Sequence, residues 1–456
     1  MFMMLLKGWK MKLRYSSIIG YLAVFLSVAS FLCFYPGSMT WDSLEQLRQA
    51  RTGDYGDWHP PAMAFIWSLF VFIKDGPSMM LIFHISMLWT SAILLYRLST
   101  REKWPCGVLF LLIPILPWVL NFEFVIWKDI GMAYSWGAGV AICLYYRSKD
   151  KFPRSAVAAV LLLFFYGALI RSNSLAAAPF LFLFFVICVC KKISIKTATA
   201  VMIGSLVLCV LANMVLNSFL DPKKTNPISY VMFDDLIGLK LQGKDVNLDF
   251  LTEQERSSIV SCPHIKENKV GAAFCLDTDR WADITQHNFK ALNFSWRNAL
   301  SENFLGYLYY RSQAFLQLTR SPFSSSYDIS QFRVVEPPYV FESGIREETK
   351  FEKSFRKYVH AFSKVLPGAF KPYVWMLLSI GLIVFFARHA SSKERSLWLL
   401  PASGLFYALS YFPVTPAADL RYVYWLCFVC TISGFIAINE YCIYRRANSQ
   451  LKQAAL

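Results

Sequence analysis

Charge is scarce in this chain. Only 17% of its 456 residues are Asp, Glu, Lys or Arg, where about 25% is usual for a soluble globular protein. With 56% hydrophobic residues, that shortage excludes an ordinary water-soluble domain. Nucleotide signatures are missing as well. No Walker sequence, dinucleotide fingerprint or nucleophile elbow occurs, so ATP-driven work has no support. The 11 cysteines form no metal-binding pattern. Nine lie in or near apolar runs and read as small apolar residues. Cys262 and Cys275 lie in a polar stretch and can be a disulfide of an oxidising compartment or two free thiols. No small-x-small cleavage site clearly follows the first apolar run, which reads as a retained span rather than a signal peptide.

What is present is a series of apolar runs, each about 17 to 21 residues long and so matched to a hydrocarbon core of roughly 30 Å. Lys7, Lys10, Lys12 and Arg14 set the N-terminus inside. Threading from there predicts about ten spans, near 16–35, 78–97, 105–121, 130–146, 155–170, 174–190, 197–217, 371–388, 396–412 and 421–440. The net charge of +16 would suggest nucleic acid in a soluble chain. Here many of the basic residues fall in short loops between spans, which the positive-inside trend explains without nucleic acid. The 14 Trp and 23 Tyr suit interfacial belts. One apolar stretch, Pro60 to Ile73, is too short to cross at about 1.5 Å per residue. Read as a span it would invert the following loops, so it is expected to lie at the outer leaflet. Eleven or more spans is the alternative.

Three regions follow: a transmembrane module over 1–217 with a first outer loop at 36–77, an outer domain over 218–370, and a second transmembrane module with a short tail over 371–456. The outer domain shows weak helical patterns, notably Glu302 to Leu318.

Polar residues gather at the outer ends of the runs. Asp42 follows the first run, where Thr40 or Asp42 can cap a short helix that stops at Gly53. Asp42 is also placed to take a proton from an acceptor hydroxyl, and Glu45 lies one helical turn on. Asp57, Trp58 and His59 precede Pro60 and Pro61, which fix the chain as the short apolar segment begins. His59 reads either as a phosphate or carboxylate partner or as a turn residue. Lys128 and Asp129 head the fourth predicted span, as anchor and cap or as site residues. Arg171 and Asn173 sit in a short outer turn, against the positive-inside trend. A guanidinium there suits a phosphate or diphosphate. Asp419, Arg421 and Tyr422 repeat this logic, and Asp419 can instead simply pair with Arg421. Arg311 in the outer domain follows an amphipathic stretch and is a further candidate for phosphate contact.

This layout resembles the GT-C superfamily of integral membrane glycosyltransferases, in particular its aminoarabinose transferase and protein mannosyltransferase branch. Asp42 after the first span, His59-Pro60-Pro61 heading a juxtamembrane helix, Asp129 after the third span and Arg421-Tyr422 in the last outer loop carry the likeness. A Lys-Asp pair stands where relatives have an acidic pair, and the first loop is shorter than in many of them. The resemblance implies an all-α polytopic fold with about ten membrane helices, a juxtamembrane helix and outer loops. It implies transfer of a sugar from a polyprenyl-phosphate donor to a glycolipid, glycan or protein at the extracytoplasmic face, in cell-envelope glycan or lipopolysaccharide biosynthesis at a bacterial inner membrane. In that reading Asp42 is the base, and Asp57, His59 and Asp129 shape the catalytic pocket. Lys128, Arg171, Arg421 and Arg311 bind donor phosphate. Glu45, Trp58, Asn173, Asp419 and Tyr422 line the substrate. The residues assign no cofactor, and a magnesium or manganese ion on Asp42, Asp129 and His59 stays open. Two rivals remain. A glycan polymerase or ligase would lean on His264 or His287. A flippase for lipid-linked sugar would need charges along a path through the spans.

Overall fold

A computed structural model describes residues 19–147, 149, 151–262, 265, 270–323, 340–341, 344–345, 350–389 and 395–454. Among these the regular elements are helices, apart from a two-residue pairing of Val340–Phe341 with Gly344–Ile345 and isolated bridges at Ser38–Val125 and Gly56–Lys223. The first half runs α1 (Ile19–Phe34), α2 (Trp41–Thr52), α3 (Ala62–Val71), α4 (Ser78–Arg101), α5 (Leu109–Leu112), α6 (Pro117–Glu123), α7 (Lys128–Arg147), α8 (Arg154–Leu169), α9 (Ala178–Cys190) and α10 (Ile195–Leu220). The second half runs α11 (Ile228–Leu241), α12 (Glu253–Ser261), α13 (Thr278–Gln286), α14 (Phe289–Glu302), α15 (Phe304–Leu318), α16 (Lys350–Val365), α17 (Pro372–His389), α18 (Leu399–Leu409) and α19 (Tyr424–Ala454).

The expectation of ten membrane helices does not hold. Among the described residues four segments are long and apolar enough to cross a membrane: Ser78–Arg101, Ile195–Leu220, Arg395–Val414 and Leu420–Arg446. The reasons are visible run by run. Helices Arg154–Leu169 and Ala178–Cys190 are apolar but shorter, and at about 1.5 Å per residue they fall short of a core of roughly 30 Å; the described stretches of Ile19–Phe34 and Pro372–Arg388 are apolar as well. The run at 105–121 is no single helix. Pro114 and Pro117 break it into α5, a 3-10 turn at Ile113–Ile115 and α6, because proline lacks the amide hydrogen and blocks the preceding turn. The run at 130–146 is one helix of 20 residues, α7. Lys128, Asp129 and three glycines dilute its apolar character, and it is buried along most of its length. The four long segments associate this chain with a membrane by length and composition; the many-pass topology is not what the helices build.

α7 is the centre of the larger core, packed against α4, α8 and α19. Its glycines make that possible. A Cβ on Gly137 would stand 2.4 Å from the Phe428 ring, and one on Gly139 would stand 2.4 Å from the Phe164 ring. The neighbouring helices thus press aromatic rings onto the α7 backbone. Small residues permit such close approach where helices meet. A second, smaller core lies in the 228–302 region. Phe233, Leu236, Ile237, Ile259, Ile284 and Leu292 close it, and a Cys262–Cys275 disulfide ties its edge.

Candidate active site

Two short stitches bring distant loops together. Ser38 donates its amide to the Phe124 carbonyl at 2.8 Å and accepts from the Ile126 amide at 2.9 Å. Gly37 has a φ of +104°, and a Cβ there would meet Ile126 at 2.9 Å, so only glycine lets the loop lie this close. Trp127 Nε1 donates to Thr40 Oγ1 at 2.7 Å, and Ser43 Oγ donates to the Ile126 carbonyl at 2.5 Å. The start of α2 is thereby clamped to the start of α7. The second stitch joins 55–57 to 223–225. Lys223 donates its amide to the Tyr55 carbonyl at 2.8 Å, and Asp57 Oδ1 accepts from the Thr225 amide and hydroxyl, each at 2.6 Å. It fixes where Trp58 and His59 leave the loop.

Asp42, His59, Lys128, Asp129, Arg171, Asp419, Arg421 and Tyr422 converge as a result. Thr40 occupies the N-cap position of α2 and Gly53, left-handed, its C-cap. Asp42 is therefore not the cap, and its carboxylate meets the site. Arg421 Nη1 donates to Asp42 Oδ2 at 2.8 Å, and Arg421 Nε lies 3.2 Å from Asp419 Oδ2. The guanidinium also sits 4.4 Å from the Trp127 ring and donates to Tyr422 Oη at 3.2 Å. His59 Nε2 stands 3.5 Å from Asp42 Oδ1. Its Nδ1 is in contact with Lys128 Nζ. On the far side Arg171 Nε lies 3.0 Å from Asp129 Oδ1, and Arg171 donates to Tyr411 Oη at 2.8 Å through Nη2. Arg171 also faces the Tyr422 ring at 4.9 Å, which links the two halves.

Burial and pairing set the protonation states. Burial opposes the charge on Asp42, yet Arg421 and then His59 hold its carboxyl well below the usual carboxylate range. Burial, reinforced by Lys128, pushes the His59 imidazole down to about 4 against the pull of Asp42. Burial and then Arg171 push Lys128 down to about 7, opposed by Asp42 and Asp129. A neutral His59 with its proton on Nε2 satisfies both neighbours: it accepts from Lys128 at Nδ1 and points its N–H at Asp42. The result is a chain Asp42–His59–Lys128 beside two arginines. The Asp42 side chain keeps 30% of its surface open, while those of His59 and Asp129 are almost closed.

The remaining expected residues lie elsewhere or at the edge. Asp57 is spent on Thr225. Arg311 is fully buried on α15. Its Nε lies 2.7 Å from Asp235 Oδ1, and its Nη2 donates to the Val231 carbonyl at 2.8 Å. Its Nη1 lies 3.4 Å from the carbonyl of Thr415, whose hydroxyl donates to the Tyr411 carbonyl at 2.7 Å. Glu45 pairs with Arg48 at 2.7 Å, half exposed. Trp58 meets Tyr230 edge-on with centroids 6.4 Å apart. Asn173 donates to Ser410 Oγ at 3.3 Å. His287, exposed at the C-terminal end of α13, pairs with Asp283 at 3.2 Å, and His264 lies outside the described residues. Asp42, Asp129 and His59 are each engaged by a cationic side chain. Among the described residues no group of three or more His, Cys, Asp or Glu is placed to hold a metal ion. Sequence reasoning passed over Tyr411, which orients Arg171. Its only signal was a tyrosine beside Phe412-Pro413 at the end of an apolar run.

No family model matches this chain, and no curated protein or solved structure is significantly similar to it. The expected membership of the GT-C superfamily, and of its aminoarabinose transferase and protein mannosyltransferase branch, therefore does not stand: no comparison supports it, and four membrane-length helices are not that architecture. The polyprenyl carrier was named through that resemblance and loses its ground with it.

Proposed function

We propose that this chain is a membrane-associated glycosyltransferase that moves a sugar from a lipid-linked phosphate donor to a hydroxyl acceptor. One observation carries the reading: Arg421 and Arg171, two phosphate-competent guanidiniums, flank a carboxylate–imidazole–amine chain within one mostly buried cluster that is open chiefly at Asp42. Arginine matches phosphate oxygens in fork geometry. In the proposed reaction the acceptor oxygen attacks the anomeric carbon and the bond from that carbon to the phosphate oxygen breaks. The phosphate leaves with the electron pair and is held by Arg421 and Arg171. The acceptor proton passes to Asp42, with His59 orienting that carboxylate and Lys128 holding the ring. Aromatic Trp127 and Tyr422 pack against the Arg421 guanidinium and hold it beside Asp42.

The extracytoplasmic side fits best. The Cys262–Cys275 disulfide belongs to the region that abuts the site through Arg311 and Thr415, and disulfides persist in oxidising compartments. The test is transfer of radiolabelled sugar from lipid-phosphate donors in membranes carrying the chain. Wild type transfers; Asp42→Asn and Arg421→Ala, accumulated to the same level, do not. Absence of transfer by wild type from every donor and acceptor tried, or undiminished transfer by Arg421→Ala, would overturn the reading.

A further inference from the structure

α16 carries a charge pattern that neither the fold nor the site uses. Lys350, Lys353, Lys357 and Lys364 are all exposed. Their spacing of three, four and seven positions puts them along one face of a helix with 3.6 residues per turn. Like charges stacked this way repel one another. Among the described residues none of the four has a carboxylate within ion-pair distance. The adjoining face is apolar. Val359 is buried, Phe355 meets the Phe34 ring at 5.4 Å, Phe362 meets Trp118 at 6.2 Å, and Tyr358 Oη donates to the Ile115 carbonyl at 3.3 Å.

Position decides what this face meets. Phe34 is the last residue of α1, an apolar helix whose flank is open, with Phe25 67% and Leu32 66% exposed. α16 thus lies across the end of a helix that, among the described residues, leaves that flank exposed. The apolar stripe of α16 overhangs the contact, with Phe351 at 61% and Val365 at 81% exposed. A helix that lays one apolar face across an exposed apolar helix and carries lysines beside that face has the make-up of an interfacial helix, its amines suited to headgroup level.

We propose that α16 is an interfacial helix whose lysine stripe binds anionic lipid headgroups and anchors the end of α1 at the bilayer surface. A basic residue near an anionic surface favours binding by about fivefold. The proposal is independent of the glycosyl-transfer reading.

The experiment uses the full chain reconstituted in nanodiscs of phosphatidylcholine and phosphatidylglycerol in equal parts, extracted, and weighed by native mass spectrometry for retained lipid. The expected result is a phosphatidylglycerol preference that drops about fivefold for each lysine among Lys350, Lys353, Lys357 and Lys364 changed to Gln. The matching Lys→Arg variant keeps the preference. A control variant with Lys191, Lys192 and Lys196 changed to Gln keeps it as well. All four lysines are exposed, so the variants should melt with wild type in neutral lipid, and this is measured alongside. An unchanged lipid ratio in the Gln variant, or a ratio that follows the Lys191 cluster instead, overturns the proposal and leaves the stripe to an acidic protein.

Discussion

Arg421 holds Asp42 at 2.8 Å across 379 positions of the chain. The same guanidinium lies 3.2 Å from Asp419, so two carboxylates share it before any substrate arrives. A phosphate must compete with them. In the proposed reaction a phosphate that wins leaves Asp42 without its chief counter-charge and makes it a better proton acceptor, so donor binding and base activation would be one event. Removing the Asp42 charge should then strengthen anion binding while abolishing transfer. We expect Asp42→Asn to bind inorganic diphosphate about tenfold tighter by calorimetry, the scale of one charge-assisted hydrogen bond. Weaker binding by Asp42→Asn would show that Arg421 needs Asp42 for its position rather than competing with it.

Arg171 and Asp129 form the more deeply buried pair, with side chains 11% and 2% exposed. Breaking such a pair from one side strands a charge, at about 3–5 kcal/mol. Arg171→Ala is therefore expected to lower the melting temperature of the purified protein strongly. Arg171→Met combined with Asp129→Leu should restore much of that loss, because two apolar side chains replace both charges. Lys223→Ala, which removes an exposed partner of Asp54, should leave the melting temperature unmoved. If Arg171→Ala melts with wild type, the pair is not the brace described.

Lys128 and His59 shape the pH profile. Lys128 is pushed from 10.5 to about 7 and His59 from 6.5 to about 4. For a base whose folded value is depressed, the unfolded chain binds more protons between the two values, so stability rises with pH through that window. The penalty is full below the folded value and gone above the unfolded one. Each group should thus add an upward slope to the unfolding midpoint, His59 over pH 4 to 6.5 and Lys128 over pH 7 to 10.5. Lys128→Met should flatten the upper slope relative to wild type. It should also raise the lower window, since Lys128 helps depress His59. Parallel wild-type and Lys128→Met profiles above pH 7 would sink this assignment.

Much of the site was legible because charge in an apolar sequence is conspicuous. Asp42, His59, Lys128, Asp129, Arg171, Asp419, Arg421 and Tyr422 stood out at run ends, and the fold gathers them. Asp57 stood out equally, yet it serves Thr225, because sequence cannot tell a carboxylate that fastens a loop from one that faces a cavity. Arg311 stood out beside an amphipathic stretch, but its partner Asp235 lies on another helix. Span count failed for a related reason. Hydropathy reports that a run is apolar, and apolar runs serve a buried helix as well as a membrane one. Pro114 and Pro117 gave a visible warning that 105–121 was broken. Nothing in the runs at 154–169 or 178–190 shows that their helices stop short.

The site's frame rests on how closely α7 and α19 approach, because α7 carries Lys128 and Asp129 at its start and Arg421 immediately precedes α19. Gly137 sets that distance. A Cβ on it would stand 2.4 Å from Phe428 Cε1, and Phe428 is fully buried between Tyr134, Tyr424 and Trp425. The ring has no room to withdraw, so the helices must part. Gly137→Ala is expected to cost about 1–3 kcal/mol, the range for overpacking a filled core. The displacement should also widen the Arg421–Asp42 pair and weaken diphosphate binding, although Gly137 touches neither residue. Adding Phe428→Leu to Gly137→Ala makes space for the new methyl group, and the double variant should recover both stability and binding beyond either single change. Additive losses in the double variant would mean that the glycine matters for the α7 backbone itself rather than for its contact with that ring.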